Sequence, residues 1–148
     1  MAWTLLLAAG QGNRLASATG GLAKQFLDWK GAPLYWESAL VFSRCARVDG
    51  LVFVFPEACI DEERERVAGL MRNASLGIPW KVVAGGALRQ DSVRNGLAAL
   101  PGDCMEVLIH DAARPFVSPV LVNRILDGLH GEASGECVAA CIPGIPVV

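Results

Sequence analysis

Leu5-Leu6-Leu7-Ala8-Ala9-Gly10-Gln11-Gly12-Asn13-Arg14, with Lys24 a short loop further on, is an apolar run that breaks into small residues and two glycines before delivering two cations. The pattern reads as a buried strand ending in a phosphate-binding loop. Gly10 and Gly12 lack a Cβ, so the backbone there is free to reach positive φ and to approach a ligand closely, while successive N–H groups face one concave, anion-binding space. Arg14 and Lys24 bring full positive charge to that space. For the glycines alone, an ordinary strand-to-helix turn is the plainer alternative. Two better-known loops are excluded. Leu15 stands where the dinucleotide fingerprint Gly-x-Gly-x-x-Gly needs its third glycine, which also disfavours a nicotinamide-binding domain, and no Gly-Lys-Ser/Thr follows for a Walker loop.

Composition points the same way. A chain of 148 residues suits one domain, and a domain of that size buries roughly 70% of its unfolded surface. A hydrophobic fraction of 53% with mean hydropathy +0.39 requires strands covered on both faces, as in α/β layering around a parallel sheet. The formal charge of −2, without Lys/Arg clusters, offers no field for a nucleic-acid backbone. No apolar segment approaches a membrane span, and the run over 5–9 is too short, and has no Lys or Arg before it, for a signal peptide. A cytoplasmic protein with neither nucleic acid nor membrane as partner is expected. Cys45, Cys59, Cys104, Cys137 and Cys141 are odd in number and form no Cys-x-x-Cys pair, so free thiols are expected.

Along the chain, strands are expected at 51–55, 80–84, 105–109 and 136–142 besides the opening run. Helices are expected at 34–47, with Val41, Phe42 and Cys45 inward, and at about 61–72. Further helices are expected at 89–100, with Val93, Leu97 and Leu100 inward, and at about 119–130, with Leu121, Ile125 and Leu129 inward. Ser118-Pro119 is a strong helix start. Trp3, Trp29, Trp36 and Trp80 are expected to pack on the surface of the core. Strand and helix alternate with short links, which gives an α/β, Rossmann-like, doubly wound, mostly parallel sheet with helices on both faces. Polar residues then fall after the carboxyl ends of three strands, in the Gly10 loop, in Gly85-Gly86 with 89–92, and in 110–114. Ligands bind at that edge of such sheets.

Together these three segments resemble the cytidylyltransferases of the nucleotidyltransferase superfamily, most closely the 2-C-methyl-D-erythritol 4-phosphate cytidylyltransferases. The matching blocks are Ala8-Ala9-Gly10-Gln11-Gly12-Asn13-Arg14 with Lys24-Gln25-Phe26-Leu27, then Gly85-Gly86-Ala87-Leu88-Arg89-Gln90-Asp91-Ser92-Val93, then His110-Asp111-Ala112-Ala113-Arg114-Pro115. The third block is the most specific, and the first is shared with many sugar-nucleotide pyrophosphorylases. The resemblance implies a nucleotide-diphospho-sugar transferase fold and transfer of CMP from CTP to a sugar-alcohol phosphate, with release of diphosphate and with Mg²⁺ as cofactor. It implies that Ala8, Ala9, Gly10, Gly12 and Ala112 line the nucleotide and that Gly86 and Ser92 read the cytosine. Asp111 would sit by the Mg²⁺ and the ribose or substrate, Arg114 would face the second substrate, and Arg14 and Lys24 would act on the phosphates in the transition state. It also implies a homodimer in the complete protein.

The chemistry accounts for those residue types. The attacking group is already an anionic phosphate oxygen, so the barrier lies in bringing two anions together and expelling diphosphate. One charge at ~4 Å in an effective dielectric of ~20 is worth about 4 kcal/mol when aimed at charge that develops in the transition state. Plainer readings stand beside these. Asp91 suits a helix cap better than Ser92, His110 suits a structural hydrogen bond to its own loop, and Asp111 is otherwise a turn-capping aspartate. The chain departs from the family pattern in Ala23, where a proline is usual, and in a longer loop with Gly20-Gly21 that is expected to be mobile without CTP. It also stops soon after the expected last strand, so a single domain over 1–148, incomplete at its C-terminus, is expected. A CDP-ribitol pyrophosphorylase and a nucleotide-binding module without catalysis are the alternative functions.

Overall fold

A computed structural model describes residues 1–10, 22–131 and 138–144. Its centre is β1 (Ala2–Leu7), every residue of which is buried. A short hairpin, β2 (Asp28–Trp29) and β3 (Ala32–Pro33), leads into α1 (Leu34–Ser43). The hairpin turns on Lys30 and Gly31, at φ 56° and 84°. Two consecutive positive φ values make a turn whose twist suits a tight hairpin, and Asp28 supports it by accepting the Gly31 N–H at 3.1 Å. There follow β4 (Gly50–Phe55), α2 (Ile60–Asn73), β5 (Trp80–Ala84), α3 (Arg89–Ala98), β6 (Glu106–Asp111) and α4 (Pro119–Leu129).

Strands β5, β4, β1 and β6 form one parallel sheet in that order. The chain builds outward from β1 through β4 to β5, then returns across β1 to lay down β6. The reversal of direction therefore lies between β1 and β6, and it opens a crevice at their carboxyl ends. Alternation along the strands fills two cores. Leu6, Leu51, Phe53, Phe55 and Leu108 face α1, α2 and α4, while Leu5, Leu7, Val52, Val54 and Val107 face Val93 of α3 and the segment after it. The helices thus cover both faces, as expected. Asp61, Glu62 and Glu63 open α2 and complement its dipole, and Ser118 caps α4 by accepting the Leu121 N–H at 3.2 Å.

Several expectations need correction. No strand forms in 138–144. The Val138 N–H donates to Leu129 at the end of α4, so it is not available to a ladder, and Cys141 packs against Gly128 instead. Of the residues expected inward from α3, Val93 and Leu100 pack against the core but Leu97 is exposed. The buried positions of the helix are Ser92 and Gly96, because it approaches the sheet so closely that a Cβ on Gly96 would come within 3.0 Å of Leu5. In α4 the buried pair is Val122 and Leu126, one residue on from the expected stripe. Ile125 is half-buried against the core, as expected, and together with Leu121 it also lines a cavity of about 350 Å³ beside β6. Trp3 and Trp36 lie inside the core rather than on it, while Trp29 is exposed. Cys45, Cys59, Cys104 and Cys141 are free thiols. Among the described residues, no helix is long and apolar enough to cross a membrane.

Candidate active site

The three segments singled out in the sequence meet at the carboxyl edge of the sheet. Leu7 pairs with Asp111 in the β1–β6 register, and the Ala112 N–H donates to the Leu7 carbonyl at 3.0 Å, which ties the third segment to the first. Ala8 is buried and donates to Val54 at 2.8 Å. The second segment closes on the first at Gly85. A Cβ there would stand 2.4 Å from the Ala9 Cβ and 2.8 Å from the Ser92 Oγ, distances no side chain tolerates. At Gly10 the requirement differs from the expectation, since its φ is not positive. A Cβ on Gly10 would meet nothing within 4 Å among the described residues, so none of them stands in the way of a ligand's approach there.

The Gly85-Gly86 turn is fastened to α3 by Ser92. The Ser92 hydroxyl, 3% exposed with its residue, accepts the Gly86 N–H at 3.1 Å and donates to the Leu88 carbonyl at 3.4 Å. Asp91 accepts the Leu88 N–H at 3.1 Å and so caps the helix, as its position suggested. Ser92 holds the turn in shape; a contact from its hydroxyl to a base requires one of these bonds to be exchanged.

Asp111 ends β6 and carries the charge of the crevice. Its Oδ1 accepts from Arg89 Nη2 at 3.0 Å, and its Oδ2 lies 3.6 Å from Arg114 Nε. Both arginines are largely exposed, so water screens these pairs and each is worth well under about 1 kcal/mol. Cations held this loosely are free to turn toward an incoming phosphate. Arg89 thus joins the site although sequence reasoning gave it no role; its signal was its place in the second block. His110 behaves as the structural reading expects. Its Nε2 lies 2.9 Å from the Arg114 carbonyl, which only accepts, so that nitrogen carries the proton. Burial holds the imidazole below its ordinary range.

Lys24 lies exposed on a single 3-10 turn, Lys24–Phe26, and makes no ion pair among the described residues. Its neighbour Gln25, a second residue that sequence reasoning left without a role, is buried against the Gly10 loop. Gly12, Arg14 and the longer loop around Gly20-Gly21 lie outside the described residues. No group of three metal-ligating side chains occurs among the described residues. Asp111 alone still fits Mg²⁺, which keeps several waters and takes one or two carboxylates together with substrate phosphates.

Comparison with known proteins gives this arrangement a context. The family model for 2-C-methyl-D-erythritol 4-phosphate cytidylyltransferase, IspD, matches residues 2–147. The chain is 53% identical over 140 residues to the bifunctional enzyme IspD/IspF of Oleidesulfovibrio alaskensis, covering 95% of this chain and 35% of that protein. It is 37% identical over 133 residues to the 2-C-methyl-D-erythritol 4-phosphate cytidylyltransferase of Clostridium botulinum, covering 90% of this chain and 55% of that one. The chain therefore spans about a third of the length of the bifunctional relatives it matches. Among solved structures, the 4-diphosphocytidyl-2C-methyl-D-erythritol synthase of Anaerococcus prevotii shares the fold, with a TM-score of 0.69 at 22% identity over 88% of this chain and 51% of that one.

Proposed function

The chain belongs to the 2-C-methyl-D-erythritol 4-phosphate cytidylyltransferase family, and from that premise we propose that it is the CTP-binding part of an enzyme that transfers CMP to 2-C-methyl-D-erythritol 4-phosphate. The observation that carries this reading is the meeting of the Gly10 loop, the Gly85-Gly86 turn and the Asp111 loop at one crevice. A phosphate oxygen of the acceptor attacks the α-phosphorus of CTP. A new P–O bond forms there, the bond to the bridging oxygen breaks, and its electron pair leaves with diphosphate. No protein nucleophile is needed.

The residues of this chain bind and orient. Ala8, Ala9, Gly10 and Gly12 offer close backbone approach to the nucleotide, with Ala112 behind them, and Gly86 and Ser92 form the wall toward the base. Arg14 and Lys24 stabilise the charge that builds on the departing phosphates. Arg114 faces the acceptor, and Arg89 exchanges Asp111 for phosphate. Asp111 would hold Mg²⁺, which when bound spreads phosphate charge and templates the attack. A cytoplasmic homodimer completes the reading, on the family resemblance.

Diphosphate release by the full-length protein, screened with CTP and UTP against methylerythritol phosphate, ribitol phosphate and hexose phosphates, tests it. Turnover is expected only with CTP and methylerythritol phosphate. Turnover with ribitol phosphate in its place would move the assignment to a CDP-ribitol pyrophosphorylase, and CTP binding without release would leave a binding module.

A further inference from the structure

We propose that Gln25 is a positioning residue: it turns the carbonyls of the Gly10 loop away from an anion and couples that loop to Lys24. Its Nε2 lies 2.7 Å from the Ala8 carbonyl and 2.7 Å from the Gly10 carbonyl, so both hydrogens of one amide nitrogen are used on one loop. The side chain is only 4% exposed, and seventeen and fifteen residues of chain separate it from its partners, so this is a built tertiary contact.

Its consequence follows from peptide geometry. In a trans peptide the carbonyl and the following N–H point in opposite directions. With the Ala8 carbonyl drawn to Gln25, the Ala9 N–H is aimed the other way, and it meets no acceptor among the described residues. A loop that binds phosphate must present donors and hide the negative ends of its peptides, and here one carboxamide hides two of them. The same residue fixes Lys24. Successive side chains of a 3-10 turn point about 120° apart. In this turn Gln25 locks onto the Gly10 loop, and the Phe26 ring packs on Tyr35 and Phe55 with centroids 6.2 and 6.1 Å apart. Two anchored neighbours leave Lys24 exposed on the remaining side, held in register with the loop.

The inference rests on the reading of that loop as the triphosphate site, so its test separates anion binding from catalysis. Calorimetry of the full-length protein would compare inorganic triphosphate and CTP binding in the wild type, Gln25→Leu and Gln25→Glu, with melting temperature measured alongside. Gln25→Leu is expected to bind triphosphate about tenfold or more weakly, the loss that follows when carbonyls are left to face the anion. Gln25→Glu keeps the shape and guards against a leucine variant that does not fold. It should bind weakly at alkaline pH and recover relative to the wild type as pH falls, because its protonated carboxyl regains one donor. A merely structural glutamine would not give this pH-dependent ratio. Triphosphate affinities equal to the wild type in both variants, or a Gln25→Glu ratio flat with pH, would overturn the proposal. Wild-type protein that binds triphosphate but releases no diphosphate from CTP would remove the catalytic reading while leaving the role of Gln25 to be decided by the binding arms.

Discussion

At the scale of single residues, the charges of the site divide into those held and those left free. Asp111 is engaged by two arginines, whereas Lys24 is exposed and unpaired among the described residues, which is how a cation reserved for substrate should stand. Lys24→Ala and Arg14→Ala in the full-length protein are each expected to lower kcat by ~10²-fold or more, with a smaller change in CTP affinity, since in the proposed mechanism both act on charge that develops in the transition state. Lys24→Arg should not fully restore turnover, because a planar fork replaces a compact point charge. Steady-state kinetics with a separate CTP titration decides the matter. His110 gives a second expectation, one of stability. Burial is the main cause of its lowered pKa, partly offset by its bond to the Arg114 carbonyl and by the Asp111 charge, with Arg114 adding to the lowering. The unfolded chain therefore takes up the proton more readily than the folded one. This contribution is fully present above the ordinary value of 6.5 and is lost as pH falls through the lower folded value. The melting temperature of the wild type should thus fall more between about pH 7.5 and 5.5 than that of His110→Asn. Equal slopes would contradict the assignment. Asp111 and the glycines were legible in the sequence because charge and missing side chains announce themselves. Gln25 was not, since a neutral amide beside a lysine gives no sign of which carbonyls it will reach.

Most elements were legible in type, apart from the strand expected at 136–142, which does not form over its described residues. They were less legible in length and phase, the helix expected at 34–47 ending at Ser43. The expected strand at 105–109 ended where its apolar residues end, yet pairing with β1 carries on through His110 and Asp111, since a ladder depends on backbone and not on side-chain polarity. In the α3 region Val93 and Leu100 do pack on the core, as their apolar character suggests, but Leu97 is exposed. The closest approach to the sheet falls at Ser92 and Gly96, where there is room only for small residues. A sequence displays large residues, and close contacts are made by small ones. The same logic makes Gly85 the joint between β5 and the Gly10 loop. Gly85→Ala sets a methyl group 2.4 Å from the Ala9 Cβ, where no flexible side chain can yield, so the two loops must part. A loss of about 1–3 kcal/mol in stability is expected from the overpacking. CTP affinity should fall with it, and urea titration alongside CTP calorimetry would show both. A variant as stable and as competent as the wild type would mean that the loops are not held as close as the structure has them.

For the whole molecule, the order of strands is what places the site, and no local pattern in the sequence states it. Alternation of strand and helix gave a doubly wound sheet, but the return across β1 that opens the crevice depends on how the helices divide between the faces, which is settled only by packing. That packing centres on Phe53, which is fully buried. It stacks on Trp36 and Phe55 at centroid distances of 6.4 and 5.9 Å, with the Tyr35 ring edge-on at 6.0 Å. Tyr35 in turn donates to the buried carboxylate of Glu63 at 2.8 Å, so the cluster ties α1 and α2 to the sheet. Among the described residues, every loop of the site hangs from a strand in this one sheet, and the buried clusters are those on its two faces. Truncation of Phe53 to Ala should cost about 3–5 kcal/mol, a large share of the roughly 5–15 kcal/mol that holds a domain together. Because loops and sheet share that core, the loss of CTP binding and the loss of sheet structure should follow one transition in urea, and Phe53→Ala should shift both midpoints together. If binding vanished well before the sheet did, the crevice would be a separately folding unit, and the convergence of its three loops would need a cause other than the strands that carry them.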